Sequence, residues 1–307
     1  MRRLAENTNV NVRYIIVVFL FLGRLTIFGQ DDLLDLFDEQ PTTEYTYATF
    51  KTTRIINAQS IENPAKGTLI FLIQHRFGRL NTGAYNFFGL DQSTIRLGFE
   101  YGVTDRLAIG IGRSSHLKTF DGFIKYKILR QSTGLRKMPI SLTYYGSTDL
   151  TSLKWEDMGV EDRTNYFSSR MAFTHQLLVT RKFSNRFSLQ LMPTLVHKNL
   201  VKYEIDKNNI YSLGLGSRIK ITNRTAINLE YFFVFPDQIH TEYDNSLSLG
   251  FDIETGGHVF QLVFTNSRAI YDSGYITDTQ GSWLNGDIYF GFNISRVFTV
   301  VKPKTFK

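Results

Sequence analysis

The chain has 307 residues, 42% hydrophobic and 14% aromatic, with 26 Phe, 16 Tyr and no Cys. The missing cysteine excludes a disulfide framework, a thiolate zinc site, a cysteine nucleophile and a lipoprotein anchor. A net charge of +7 without a basic run argues against nucleic acid, and a slightly negative mean hydropathy argues against a bundle of membrane helices, which needs apolar runs of about 20 residues.

Arg2, Arg3 and Arg13 precede an apolar run at residues 14–22, YIIVVFLFL, and the chain continues GRLTIFGQ. This order predicts a secretory signal peptide over residues 1–29, cleaved before Gln30. Arg24 interrupts the run and leaves it too short for an anchor helix. Residues 30–66 read as an acidic periplasmic leader or plug segment. It begins DDLLDLFDEQ, in which Leu33, Leu34, Leu36 and Phe37 suit either a partner tag or a solvated tail. Pro64 and Gly67 mark the entry into the next unit.

Residues 67–300 carry some twelve stretches of about ten residues in which apolar side chains alternate with polar or small ones. Successive side chains of a strand point to opposite faces, so alternation means two different environments. The first stretch has Leu69, Phe71, Ile73 and Phe77 on one face; the second has Ile95, Leu97 and Phe99 against Arg96 and Glu100. The third sets Ile109 and Ile111 against Gly110 and Gly112, the fourth Ile124 and Tyr126 against Lys125 and Lys127, and the fifth Leu142 and Tyr144 against Thr143 and Tyr145. The sixth, residues 167–182, turns at 183–186 into the seventh, with Leu189, Leu191 and Leu195 outward. The eighth opposes Leu213, Leu215 and Ile219 to Arg218 and Lys220; the ninth opposes Ile227, Leu229 and Phe233 to Glu230. The tenth opposes Leu249, Phe251 and Ile253 to Asp252 and Glu254, the eleventh covers 258–266, and the twelfth opposes Ile288, Phe290, Phe292, Ile294 and Phe298 to Gly291 and Asn293.

Long connectors follow strands 1, 5, 7, 9 and 11, and tight turns follow strands 2, 6, 8 and 10. That asymmetry fits an all-β, transmembrane, antiparallel up-and-down β-barrel in the outer membrane of a Gram-negative bacterium, with both termini periplasmic. A soluble sandwich also alternates, but its outward face would be the charged one. Closure also removes the sheet edges.

The stretch TFKTTRIIN at residues 49–57, then Ser60, Pro64, Gly67 and HRFG at 75–78, resembles the opening of the DUF5777 family of Bacteroidetes β-barrel proteins. The acidic leader and the hairpin over residues 92–112 fit that family as well. The resemblance implies an outer-membrane barrel and brings no substrate or catalytic residue with it.

Six histidines, at 75, 116, 175, 197, 240 and 258, show no metal-ligand spacing, and no metal or cofactor is expected. Ser114, Ser115 and His116 at one loop end, and residues 265–268 at another, offer the pieces of a lipid hydrolase. No triad can be assembled from the strand pattern, so no catalytic residue is assigned. The stronger lead is the set of inward charges Arg96, Glu100, Lys125, Lys127, Arg218, Lys220, Glu230, Asp252 and Glu254, which would tune selectivity in a wet pore or pair with one another in a closed barrel. His175 on a lipid-facing position and Pro193, which lacks an N–H, form a candidate seam in the wall, with a register-shifting bulge as the alternative. The expected partners are outer-membrane lipid, a small polar solute and a periplasmic or extracellular protein. The functions in order are a narrow pore, a closed docking barrel and, last, a lipid hydrolase.

Overall fold

A computed structural model describes residues 42–158 and 164–302. The expected signal peptide and the acidic start of the leader lie outside the described residues.

Twelve antiparallel strands form a closed barrel. They are β1 (Thr68–Arg79), β2 (Ser93–Gly102), β3 (Leu107–Ser114), β4 (Thr119–Leu129), β5 (Ser141–Thr151) and β6 (Met171–Lys182). Then come β7 (Phe187–Lys198), β8 (Asn209–Lys220), β9 (Thr225–Val234), β10 (Ser246–Thr255), β11 (His258–Thr265) and β12 (Tyr289–Thr299). Each strand pairs with its neighbours in sequence, and β12 pairs with β1 to close the sheet. Residues 167–170, expected within the sixth strand, form a 3-10 turn ahead of β6. A register shift between Lys127 and Leu129 in β4 breaks the alternation there.

Alternation becomes two environments. On β2, Ile95, Leu97 and Phe99 are 38–44% exposed, while Thr94, Arg96 and Glu100 are 1% exposed. A band of exposed Ile, Leu and Phe around buried charge is stable against lipid and unfavourable against water. Inward glycines make room for large inward neighbours. Gly110 faces Phe123 and Gly214 faces Phe232 across the ladder, where a Cβ would come within 2.2 Å and 2.5 Å of the rings.

The long loops after β1, β5, β7, β9 and β11 share one end of the barrel with the short connector at 115–118, and the tight turns after β2, β6, β8 and β10 share the other with the longer connector at 130–140. Two segments enter the lumen. From the short-turn end comes the chain ahead of β1, in which residues 53–60 are all buried. Before it enters, Thr43–Tyr45 pairs with Ser132–Gly134 outside the barrel, and Arg130 lies over the Tyr45 ring at 4.0 Å. From the long-loop end comes the connector after β11, whose helix α1 (Asp272–Thr277) is buried at every position. The Tyr145 and Tyr275 hydroxyls both donate to Asp272, at 2.6 and 2.7 Å, and the Ser273 N–H donates to Asp149 at 2.9 Å.

The two segments meet in one apolar cluster at the centre. Phe50, Ile55, Ile56, Ala58 and Ile61 arrive from one side and Tyr275 and Ile276 from the other. The wall adds Phe123, Tyr145, Leu178, Met192, Phe232 and Val263. The barrel therefore has an apolar core inside a polar lining.

Candidate functional site

The chain ahead of β1 folds into a hairpin because its own backbone pairs. The Ser60 N–H donates to the Thr53 carbonyl and the Ile55 N–H to the Ala58 carbonyl, each at 2.8 Å. Arg54 and Gln59 bridge between these bonds. At the tip, the N–H groups of Ile56, Asn57 and Ala58 all turn onto one oxygen of Glu230, at 3.2, 3.1 and 2.9 Å. Consecutive N–H groups form a concave anion cradle, and here the anion is a wall carboxylate.

Other wall side chains hold the hairpin's carbonyls. Gln261 donates to the Ile55 oxygen at 2.7 Å, Asn293 to that of Ile56 at 2.9 Å, and Gln190 to that of Gln59 at 2.7 Å. Lys125 donates to the carbonyls of Ser60 and Glu62 and to the Gln59 side chain. Arg54 meets Glu100 at 3.3 Å, and Arg76 donates to the Asn57 side-chain oxygen at 2.8 Å. Burial works to lower the Arg54 pKa, but Glu100, with Tyr145, Asp272 and Asp121, outweighs it and holds the group above its ordinary value.

Each of these bonds nets about 1 kcal/mol, because water replaces it when the hairpin leaves. Full burial of one isoleucine contributes about 1.5–3 kcal/mol. Ile55 and Ile56, at 1% and 0% exposed, are thus the main anchors, and the polar contacts set orientation. Gly216 and Gly250 make the seats: a Cβ there would meet the Ile55 Cδ1 at 2.3 Å and the Ile56 Cγ1 at 3.0 Å.

The structure places the predicted inward charges as follows. Glu100, Lys125 and Glu230 grip the hairpin directly. Glu254 takes the hairpin's Lys51 at 2.6 Å and lies 3.9 Å from Arg218. Arg96 pairs with Asp121 on the neighbouring wall, and Asp252 accepts from Gln261 at 2.7 Å. Lys127 and Lys220 make no ion pair among the described residues, and both are half-buried. The sequence reading set Asn293 on the inward face without giving it a role, and it gave Arg76 no face, although it too points inward.

His175 is exposed on the lipid face and accepts or donates at 2.8 Å to the Tyr144 hydroxyl. Its cross-strand partner on β7 is Leu195, so it does not stand opposite Pro193. The β6–β7 pairing keeps one register on both sides of the proline, with a gap over residues 177–178 and 192–193. The alternative of a bulge is therefore set aside: the proline removes local pairing without shifting the strand.

His116 stacks on Tyr271, and the Ser114 hydroxyl accepts from the His116 backbone. Among the described residues no serine hydroxyl bonds a histidine ring, and no group of three or more His, Asp or Glu could hold a metal ion. Between the hairpin and the wall at Gln74, Gln261 and Asn293 the space is about 20 Å³, enough for one water. A cavity of about 670 Å³ opens at the short-turn mouth, lined by Phe50, Lys51, Glu62, Glu254 and His258 among others.

A family model described as a membrane bound beta barrel domain, DUF5777, matches residues 50–298. The match begins ahead of β1, within the segment that enters the lumen. No curated protein matches the chain. Among solved structures, the NanC porin is similar at 8% identity, over 76% of this chain and 100% of its own, with a TM-score of 0.47. Omp33 of Acinetobacter baumannii gives 8% identity, 77% and 100% coverage, and a TM-score of 0.41. Outer membrane phospholipase A from Escherichia coli gives 9%, 80% and 97%, and 0.42. At such identities these likenesses say nothing of what this chain conducts or catalyses.

Proposed function

Because the chain belongs to the DUF5777 family of membrane bound β-barrel domains, we propose that it is an outer-membrane channel for small polar solutes, held shut by the hairpin at residues 53–60. The observation behind this is the character of the hairpin's seat. A barrel that only has to stay closed can be filled with apolar side chains from its own wall. Here the wall presents Gln261, Asn293, Gln190, Lys125, Glu100 and Glu230 to a separate piece of backbone. All six are groups that water solvates well once that backbone leaves.

In this reading the short turns face the periplasm, and so do the first and last residues of the barrel sheet. The hairpin is the stopper on that side. The connector carrying α1 narrows the outer mouth and sets the size limit.

The test is planar-bilayer conductance of the chain from Gln30 onward, beside the same chain carrying Ile55→Asp and Ile56→Asp. Charge in the apolar seat expels the hairpin, so the variant is expected to show discrete steps where the parent is silent or opens rarely. Silence from a folded variant would favour the second reading, a closed barrel that docks a partner. The ledge formed by Tyr45 and Tyr47 against Arg130, with a cavity of about 560 Å³ beside it, is the surface that reading would use.

A further inference from the structure

Among the buried charges that lack an ion-pair partner, two of opposite sign are bridged by a single residue of the hairpin. Arg76 on β1 is 0% exposed and Glu230 on β9 is 1% exposed. Neither has an ion-pair partner within 4.0 Å among the described residues. Each keeps one polar atom idle, the Arg76 Nε and the Glu230 Oε1. A buried charge left in this condition is costly, and the usual remedy is for such a pair to meet. These two do not meet. Three strands stand between them in the wall, and one residue of the hairpin spans the gap. Asn57 donates its backbone N–H to Glu230 at 3.1 Å and accepts Arg76 on its side-chain oxygen at 2.8 Å.

The N–H and the oxygen of Asn57 are joined through Cα, Cβ and Cγ. A free amino acid carries an ammonium and a carboxylate on a comparably short link, through the same three carbons in a β-amino acid and through one fewer in an α-amino acid. The three N–H groups on one oxygen of Glu230 also match an ammonium, which carries three donors. Charged partners make stronger hydrogen bonds than the neutral amide groups now in place. Ser248 and Asn293, which contact Asn57 and Arg76, complete the ring with neutral groups.

We propose that Arg76 and Glu230 form a filter for zwitterions, and that the solute admitted when the hairpin withdraws is a small amino acid, its ammonium on Glu230 and its carboxylate on Arg76. Asn57 occupies the filter as an internal stand-in. The proposal rests on the channel reading above and names its solute class.

The test compares glycine with its uncharged isomer glycolamide in a liposome-swelling assay, using the full chain from Gln30 with Ile55→Asp and Ile56→Asp. Glycine is expected to enter faster by about tenfold, the worth of one charge-assisted hydrogen bond. Adding Arg76→Gln or Glu230→Gln should remove that preference, bringing the ratio of glycine to glycolamide entry to about one. Equal entry of the two isomers in the loosened chain overturns the filter and leaves the channel standing. So does a preference that survives both Gln variants, and so does collapse of Arg76 onto Glu230, which would show as no preference. Entry of neither isomer into liposomes holding a folded variant overturns the channel itself. If the double Asp chain does not fold, Gly250→Val presses the same hairpin from the wall and the comparison is made there.

Discussion

Arg54 from the hairpin and Glu100 from β2 lie 3.3 Å apart, with side chains 4% and 1% exposed. Removing one partner strands the other charge in the lumen, at a cost of about 3 kcal/mol or more, whereas removing both is far milder. Arg54→Ala is therefore expected to loosen the hairpin more than Arg54→Ala combined with Glu100→Ala. Hydrogen exchange at the N–H groups of residues 56–58 reads this directly. Equal exchange in the single and double variants would mean that the pair does not hold the hairpin.

Gly216 sits under the hairpin, where an added Cβ would lie 2.3 Å from the Ile55 Cδ1. Gly216→Val puts new carbon against Ile55 and should unseat the hairpin at a cost of about 1–3 kcal/mol, the usual range for overpacking. Gly122 is the control, because a Cβ there would meet nothing nearer than a carbonyl at 3.8 Å. Gly122→Ala should stay within about 0.5 kcal/mol of the parent. Thermal unfolding of the two variants, with trypsin cleavage after Lys51 as a second readout, checks the difference.

The connector carrying α1 should respond to acid through His116, which stacks on Tyr271 beside it. Burial, aided by Arg268 and partly opposed by Asp278, lowers its pKa to about 4. A released histidine titrates near 6.5. Above that value the ring is neutral in both states and nothing is lost. As pH falls from 6.5 towards 4, only the released state takes up the proton. The docked connector then loses roughly 2 kcal/mol, allowing for partial exposure of the ring. Trp283 donates to the Leu247 carbonyl from the same connector and reports its seating. In a Trp155→Phe background its emission should shift between pH 6.5 and 4, and His116→Leu should abolish the shift.

Pairing lapses in the wall near Pro193 while the register holds. We propose that this stretch is the weakest part of the β6–β7 ladder. Pro193→Ala should slow hydrogen exchange at residues 177–178 by about tenfold, as one restored backbone bond is worth about 1 kcal/mol. His175→Leu should leave exchange there unchanged, since His175 pairs with Tyr144 and Leu195 instead. Unaltered exchange in Pro193→Ala would remove the basis for a seam.

The barrel could be read from the sequence because a strand's two-residue period is a local property. Ile95, Leu97 and Phe99 against Arg96 and Glu100 declare two faces without knowledge of any other strand. Alternation likewise put Glu230 and Lys125 on the inner face. It could not say that both would grip residues 53–60, because those contacts join residues 172 positions apart for Ala58 and 66 for Gln59. The hairpin itself spans too few residues to show a period. Helix α1 has six residues, and its burial depends on Tyr145 and Asp149 from β5. Arg76 was passed over for a different reason. Its strand was read by its apolar face, and its importance appears only when Asn57 is placed beside it.

The hairpin's two arms leave through the same mouth of the barrel, one towards residue 42 and the other into β1. Among the described residues the segment ahead of β1 enters and leaves by one mouth, so withdrawing the tip ties and unties no knot. Departure and return need the apolar seat of Ile55 and Ile56 to be vacated and the polar contacts to be exchanged for water, but no strand of the wall has to part. A segment crossing the lumen from end to end would have been trapped once β12 met β1. In the channel reading proposed above it serves as a removable stopper, and its tether returns it to the same barrel.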